Sequence, residues 1–224
     1  MVDSFYLGAY WTQRKEGLDI VVSKTLSFMH ELVKLDEQFF NWYEQGYTKK
    51  EALSKKIIID KEYIEKLYKK SVKKNDLGSD GFSKIGYSID LWSGHQEEYS
   101  SSLSINCGHS SKYFSNCCVI TMPSDGRQKE RLLSLVKQKE LFDLLIKSWN
   151  PDNIILSSNR LKNEIGTDEV GWITYYKLIR RIPKISDKIM YEKYSGGHLF
   201  YLANKNSYDY HLVKELLPLK GIIK

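Results

Sequence analysis

Between residues 84 and 122 the chain carries three successive β-prone stretches, Lys84–Trp92, Tyr99–Asn106 and Asn116–Met122, joined by short polar loops. In the first, Ile85, Tyr87, Ile89 and Leu91 alternate with Gly86, Ser88 and Asp90; Leu103, Ile105 and Cys107 alternate likewise in the second. A period of two is the mark of a half-buried strand, and short connections make neighbouring strands run antiparallel. A meander of this kind, not a parallel sheet, is therefore the frame on which the rest must pack.

The segments around it switch period. Leu18, Val22, Thr25, Met29, Leu32 and Val33 recur at three- and four-residue steps, which predicts a helix over Leu18–Leu35 after a first strand, Phe5–Thr12. Asp36–Gly46 is dense in aromatics and reads as an irregular segment or short strand. Thr48 with Glu51 fits a capping box opening a short helix. Ile57–Ile59 reads as a strand or an apolar anchor. Asp60 caps a second helix to about Lys74, with Tyr63, Ile64, Leu67 and Tyr68 inward. Residues 75–81, NDLGSDG, form a turn-rich breaker.

Gln128–Trp149 has the clearest helical spacing, and Pro151 stops it. Ile154–Ser158, Val170–Tyr176, Ile189–Tyr194 and Leu199–Asn204 read as strands, with a hairpin at Gly196-Gly197. Asp209–Leu217 reads as a last short helix ended by Pro218. The order of elements defines an α+β fold, a largely antiparallel sheet with packed helices. The 224 residues fit one domain or two closely packed subdomains, and any break falls near 75–81.

Charge is uneven along the chain. The net +6 combines basic segments, +6 over 48–74 and +6 over 177–224, with an acidic one, −4 over 75–126. Such faces steer partners more than they set affinity. The first apolar run, Phe5 to Trp11, has no basic region before it and meets Arg14, Lys15 and Glu16 at once, unlike a signal peptide. No stretch approaches the roughly 18 apolar residues of a membrane span. Three cysteines, two of them adjacent, fit reduced thiols in the cytoplasm.

Chemistry-bearing motifs are missing. No two glycines are separated by a single residue, and no G-x-x-x-x-G-K-[ST] or G-x-S-x-G occurs. His30-Glu31 lacks the second His of H-E-x-x-H. No Asp or Glu stands two residues before a Lys, so the [DE]-x-K of metal-dependent nucleases is absent. Cys107, His109, Cys117 and Cys118 fit no common zinc spacing, and Cys117 and Cys118 should face opposite sides of a strand; they read as structural cysteines. His95, His198 and His211 are isolated. No catalytic residue, cofactor site or metal site is assigned. The basic stretch 48–74 interleaves Lys with Tyr63 and Tyr68, as nucleic-acid binders do. Both tyrosines, however, lie on the apolar stripe of the proposed helix, which leaves the lysines as a solvated face. Trp11 and Trp149 read as packing residues. Trp42, Trp92 and Trp172 stand beside charged or turn residues, the setting of interface anchors, although packing accounts for them as well.

Four strings then carry a resemblance: FYLGAYWTQRKE (Phe5–Glu16), FFNWYEQGYTKKEAL (Phe39–Leu53), DLW (Asp90–Trp92) and EVGWITYY (Glu169–Tyr176). In this order they resemble the immunity protein 52 family of bacterial polymorphic-toxin systems. The resemblance implies an α+β protein without catalysis that binds and neutralises a cognate toxin. Such families often neighbour nuclease toxins of the restriction-endonuclease fold, sometimes delivered by type VI secretion. It supplies no contact motif. Charge supplies the expectation: Asp90, Glu97, Glu98, Asp168 and Glu169 would meet basic residues of the toxin, with Trp92 and Trp172 as anchors. The reading needs neither membrane nor nucleic acid. The second reading, of a different class, is a nucleic-acid-binding accessory protein using 48–74 and the basic C-terminal segment.

Overall fold

In the structure, a computed structural model that describes residues 3–111, 116–202 and 210–222, the N-terminal strand β1 (Phe5–Trp11) is the middle of a nine-stranded antiparallel sheet. The other strands are β2 (Tyr43–Glu44), β3 (Tyr87–Trp92), β4 (Ser102–Cys107), β5 (Asn116–Thr121), β6 (Asn153–Ser158), β7 (Ile173–Tyr176), β8 (Ile189–Tyr194) and β9 (Gly197–Leu202). Their order is β2-β3-β4-β5-β1-β6-β7-β9-β8. The expected meander is β3-β4-β5, and β1 joins it to the C-terminal half. Segments on either side of residues 75–81 share this sheet, since β2 pairs with β3.

Register sorts the side chains into two faces. Leu7 stands level with Ile120 and Leu156, and Ala9 with Cys118 and Ile154, all fully buried. Three helices cover this face: α1 (Leu18–Leu35), α3 (Lys61–Ser71) and α5 (Leu135–Trp149). Trp149 stacks on Trp11 with centroids 5.4 Å apart and meets Phe28 at 5.8 Å. Thr25 and Tyr68 share a buried hydroxyl hydrogen bond of 2.7 Å, and the Tyr68 ring meets Tyr87 edge-on. α1 has the predicted limits because its apolar stripe ends where Asp36 turns extended and accepts from the Gln38 N–H. α3 starts at the predicted cap, where Asp60 accepts from the Tyr63 N–H at 2.7 Å. A short helix, α2 (Lys49–Leu53), lies between them, capped by Thr48.

Some expectations are corrected. The single helix over Gln128–Trp149 is two, α4 (Gly126–Leu133) and α5, broken at Ser134. Ser134 is extended, and its Oγ accepts the Lys137 N–H, giving α5 its own N-cap. The Gln138 side chain donates to the Leu132 carbonyl at 2.7 Å, satisfying a group freed by the break. β3 begins at Tyr87, not before Ile85: Gly86 has φ +79° and Ile85 is 40% exposed. The last hairpin turns on Ser195-Gly196, both at positive φ as a two-residue type I′ turn requires, so Gly197 already belongs to β9. The last helical segment is a 3-10 stretch, Tyr210–Leu219, with Pro218 inside it; Asn204 and Asp209 lie outside the described residues.

Arg131 ties α4 to the end of α1. Its Nε and Nη2 donate to the Asp36 carboxylate at 2.8 and 2.7 Å, and Nη1 reaches Glu37 at 2.9 Å. The Asp36 side chain is only 5% exposed. Removing the guanidinium leaves that carboxylate short of partners, so Arg131→Ala should lose about 2–3 kcal/mol of stability. Arg131→Lys should fall between, because a lysine cannot make the two-pronged contact. Urea denaturation measures both, and equal midpoints for the wild type and the Ala variant would refute the expectation.

Candidate functional site

The second face of the sheet has two halves. Over β6, β7 and β9 it is buried: Ile155, Tyr176, Phe200 and Leu202 are covered, α6 (Asn159–Ile165) packs with the Tyr210–Leu219 segment, and Tyr176 Oη donates to the Glu169 carbonyl at 2.8 Å with the Leu219 carbonyl as the alternative acceptor at 3.3 Å. Over β3, β4, β5 and β1 the side chains are exposed or half-exposed, since α1, α3 and α5 occupy the opposite side. Three rows cross this open half. They are Trp92–Ser102–Thr121–Tyr6, Asp90–Ser104–Val119–Gly8 and Ser88–Asn106–Cys117–Tyr10.

Serine, threonine, asparagine and tyrosine dominate, the mixture that protein-recognition loops use for adaptable hydrogen bonds and rigid contact area. Asp90 is the one formal charge in the three rows, and Ser104 Oγ donates to it at 2.6 Å. At the β3 border Trp92 lies 6.1 Å from the Tyr43 ring and lines a cleft of 340 Å³ with Gly46, Thr48, Lys49, His95 and Ser102. At the opposite border Asp168 stands near enough to help raise the Tyr10 hydroxyl pKa, after burial, Tyr6 and Cys117. Burial also pushes up the Cys117 thiol, with Asp90 a smaller cause.

The residues expected from sequence divide. Asp90 and Trp92 come together on the open face. Asp168 and Glu169 are exposed, but each is engaged: Lys162 Nζ lies 3.1 Å from Asp168, and the Gly221 N–H donates to Glu169 at 3.1 Å. Glu98 is exposed on the β3–β4 connection, where its carbonyl accepts from the Ser124 and Asp125 N–H groups. Glu97 opens the same turn, and its side chain is outside the described set. Trp172 is 2% exposed, so it belongs to the core and cannot anchor a partner from the surface. Sequence reading missed Tyr6, Tyr10, Ser102, Asn106 and Thr121. Their signal was the polar half of each alternation, but only the non-local pairing of β1 with β5 joins them.

Tyr68 is buried, so its ring is not presented for stacking on a base; Tyr63 is half-exposed, and its Oη donates to Glu44 at 2.9 Å. Lys69 and Lys70 pair with Glu65 and Glu44. Cys107 and Cys118 are buried under the helices while Cys117 faces the other way, and no group of three or more His, Cys, Asp or Glu among the described residues is placed to hold a metal. No helix among them is long and apolar enough to cross a membrane.

A helix-backed antiparallel sheet whose second face is open over one half and covered over the other defines an α+β protein. Over residues 3–199 the chain matches the family described as Immunity protein 52, and it belongs to that family. It is thus an immunity protein of a toxin system, and its family implies a cognate toxin as partner. Among curated proteins nothing matches. Among solved structures it is similar to a T6SS protein of Pseudomonas aeruginosa, at 11% identity and a TM-score of 0.45, over 96% of this chain and 69% of that one.

Proposed function

We propose that this immunity protein neutralises its toxin without catalysis, in the cytoplasm, by occluding it through an interface centred on the open face of the sheet. The toxin is read as a nuclease of the restriction-endonuclease fold delivered by type VI secretion. The observation that carries the proposal is the juxtaposition of Asp90 and Trp92 with Tyr6, Tyr10, Ser104 and Asn106 on a surface the protein's own helices leave open. Support for a nuclease comes from charge. Nucleic-acid clefts are lined with Lys and Arg, and the exposed carboxylates of Asp90, Glu98, Asp168 and Glu169 offer the opposite sign at and around the face, with Glu97 in the same turn as Glu98.

Co-expression with the toxin encoded by the adjacent gene tests the proposal: the two should co-purify and toxin activity should be lost. Rim charges act mainly on the rate of encounter. Asp90→Ala and Glu98→Ala should each slow association about 2–5-fold at low salt, and the difference should shrink as screening grows. Asp168→Ala should do less, since Lys162 already compensates that charge. Wild-type association rates for all three folded variants at low salt would rule out the acidic contribution.

A further inference from the structure

On β1, where the open half of the face meets the buried half, stands a glycine. Gly8 is level with Val119 on one side and Ile155 on the other, so the row has a gap where a side chain would project. Tyr10 fills it. A Cβ on Gly8 would lie 2.5 Å from Tyr10 Oη and 2.7 Å from Cε2 and Cζ. The ring therefore lies back along its own strand, flat over Gly8, instead of standing out from the sheet. At the β3 border a Cβ on Gly94 would overlap the Tyr43 ring, which packs beside Trp92, but Gly94 has φ +82°, a conformation that calls for glycine on backbone grounds alone.

We propose that Gly8 is a positioning residue that lays Tyr10 back along its strand and thereby preforms the face on which the toxin docks. This rests on the reading of that face as the toxin-binding surface. A face flattened this way fits a flat, hydrogen-bonding region of the toxin, not a projecting knob. A tyrosine already held in its bound position loses little rotamer freedom on association, worth about 2- to 12-fold in affinity per side chain. The competing account is that the ring only shields a strand glycine and stabilises the sheet. The two accounts separate because shielding affects melting alone, whereas positioning also affects the complex.

The test is a double-mutant cycle read by binding to the toxin of the adjacent gene, with melting recorded alongside. Gly8 shows no left-handed φ, so Gly8→Ala strains no backbone torsion and acts by displacing Tyr10. Gly8→Ala should weaken toxin binding about 10-fold, and should have no further effect in a Tyr10→Ala background. Tyr10→Phe should bind within about 3-fold of wild type, because the ring stays. If Gly8→Ala does not fold, the contrast between Tyr10→Ala and Tyr10→Phe carries the test. Val119→Arg, which plants a charge mid-face, should abolish binding. Unchanged binding by Val119→Arg would remove the face as the toxin surface and this proposal with it. Loss of binding by Val119→Arg with wild-type binding by Gly8→Ala and Tyr10→Ala would overturn the positioning role alone.

Discussion

Trp149→Ala should cost about 4 kcal/mol of folding stability, the largest effect expected of any single side chain considered. The indole is 1% exposed and closes α5 onto β1 through its stack on Trp11 and its tilted contact with Phe28. Truncation removes a large buried area and leaves a cavity bounded by a sheet and a helix, neither of which can collapse into it without breaking register. Against a total of roughly 5–15 kcal/mol for a domain, that loss should lower the melting temperature by about 8–16 °C. Trp149→Phe should recover part of it, because Phe refills part of the space and can still stack on Trp11. A melting temperature for Trp149→Ala within about 3 °C of wild type would show that the contact is not what holds α5 down.

The limits of α1 and the caps of α2 and α3 were readable because the governing interactions are local: an apolar stripe, Thr48 and Asp60. The meander β3-β4-β5 was readable for the same reason, its partners being close in sequence. The Ser134 break was not, since the apolar spacing of Leu132, Leu135 and Val136 runs through it and only Oγ capping of Lys137 reveals a new start. The central position of β1 and the insertion of β9 between β7 and β8 depend on pairings distant in sequence, which no local pattern encodes. The candidate site inherits that difficulty. Asp90 and Trp92 were legible as charge beside an aromatic, but Tyr6 and Tyr10 joined them only through the register of β1 with β5. Trp172 misled for the opposite reason: Asp168 and Glu169 precede it on the surface while its own side chain turns into the core.

Trp92 and Trp172 should therefore respond to truncation in opposite ways. Trp92 is half-exposed, beside Tyr43 and above the 340 Å³ cleft, where a toxin side chain can bury against it. A tryptophan enclosed at the centre of a contact is commonly worth 2 kcal/mol or more, so Trp92→Ala should weaken toxin binding by about 30-fold, chiefly through faster dissociation. Part of the indole is already in solvent and its ring contact with Tyr43 is worth about 1 kcal/mol, so melting should shift by only about 2–4 °C. Trp172→Ala should instead lose about 3–4 kcal/mol of stability, while the fraction that remains folded dissociates from the toxin at the wild-type rate. Measuring melting and dissociation on both variants resolves the assignment. Wild-type dissociation by a well-folded Trp92→Ala would remove Trp92 as an anchor. Fast dissociation by a well-folded Trp172→Ala would mean that toxin binding reaches the buried half of the sheet, which requires α6 and the Tyr210–Leu219 segment to move away from it.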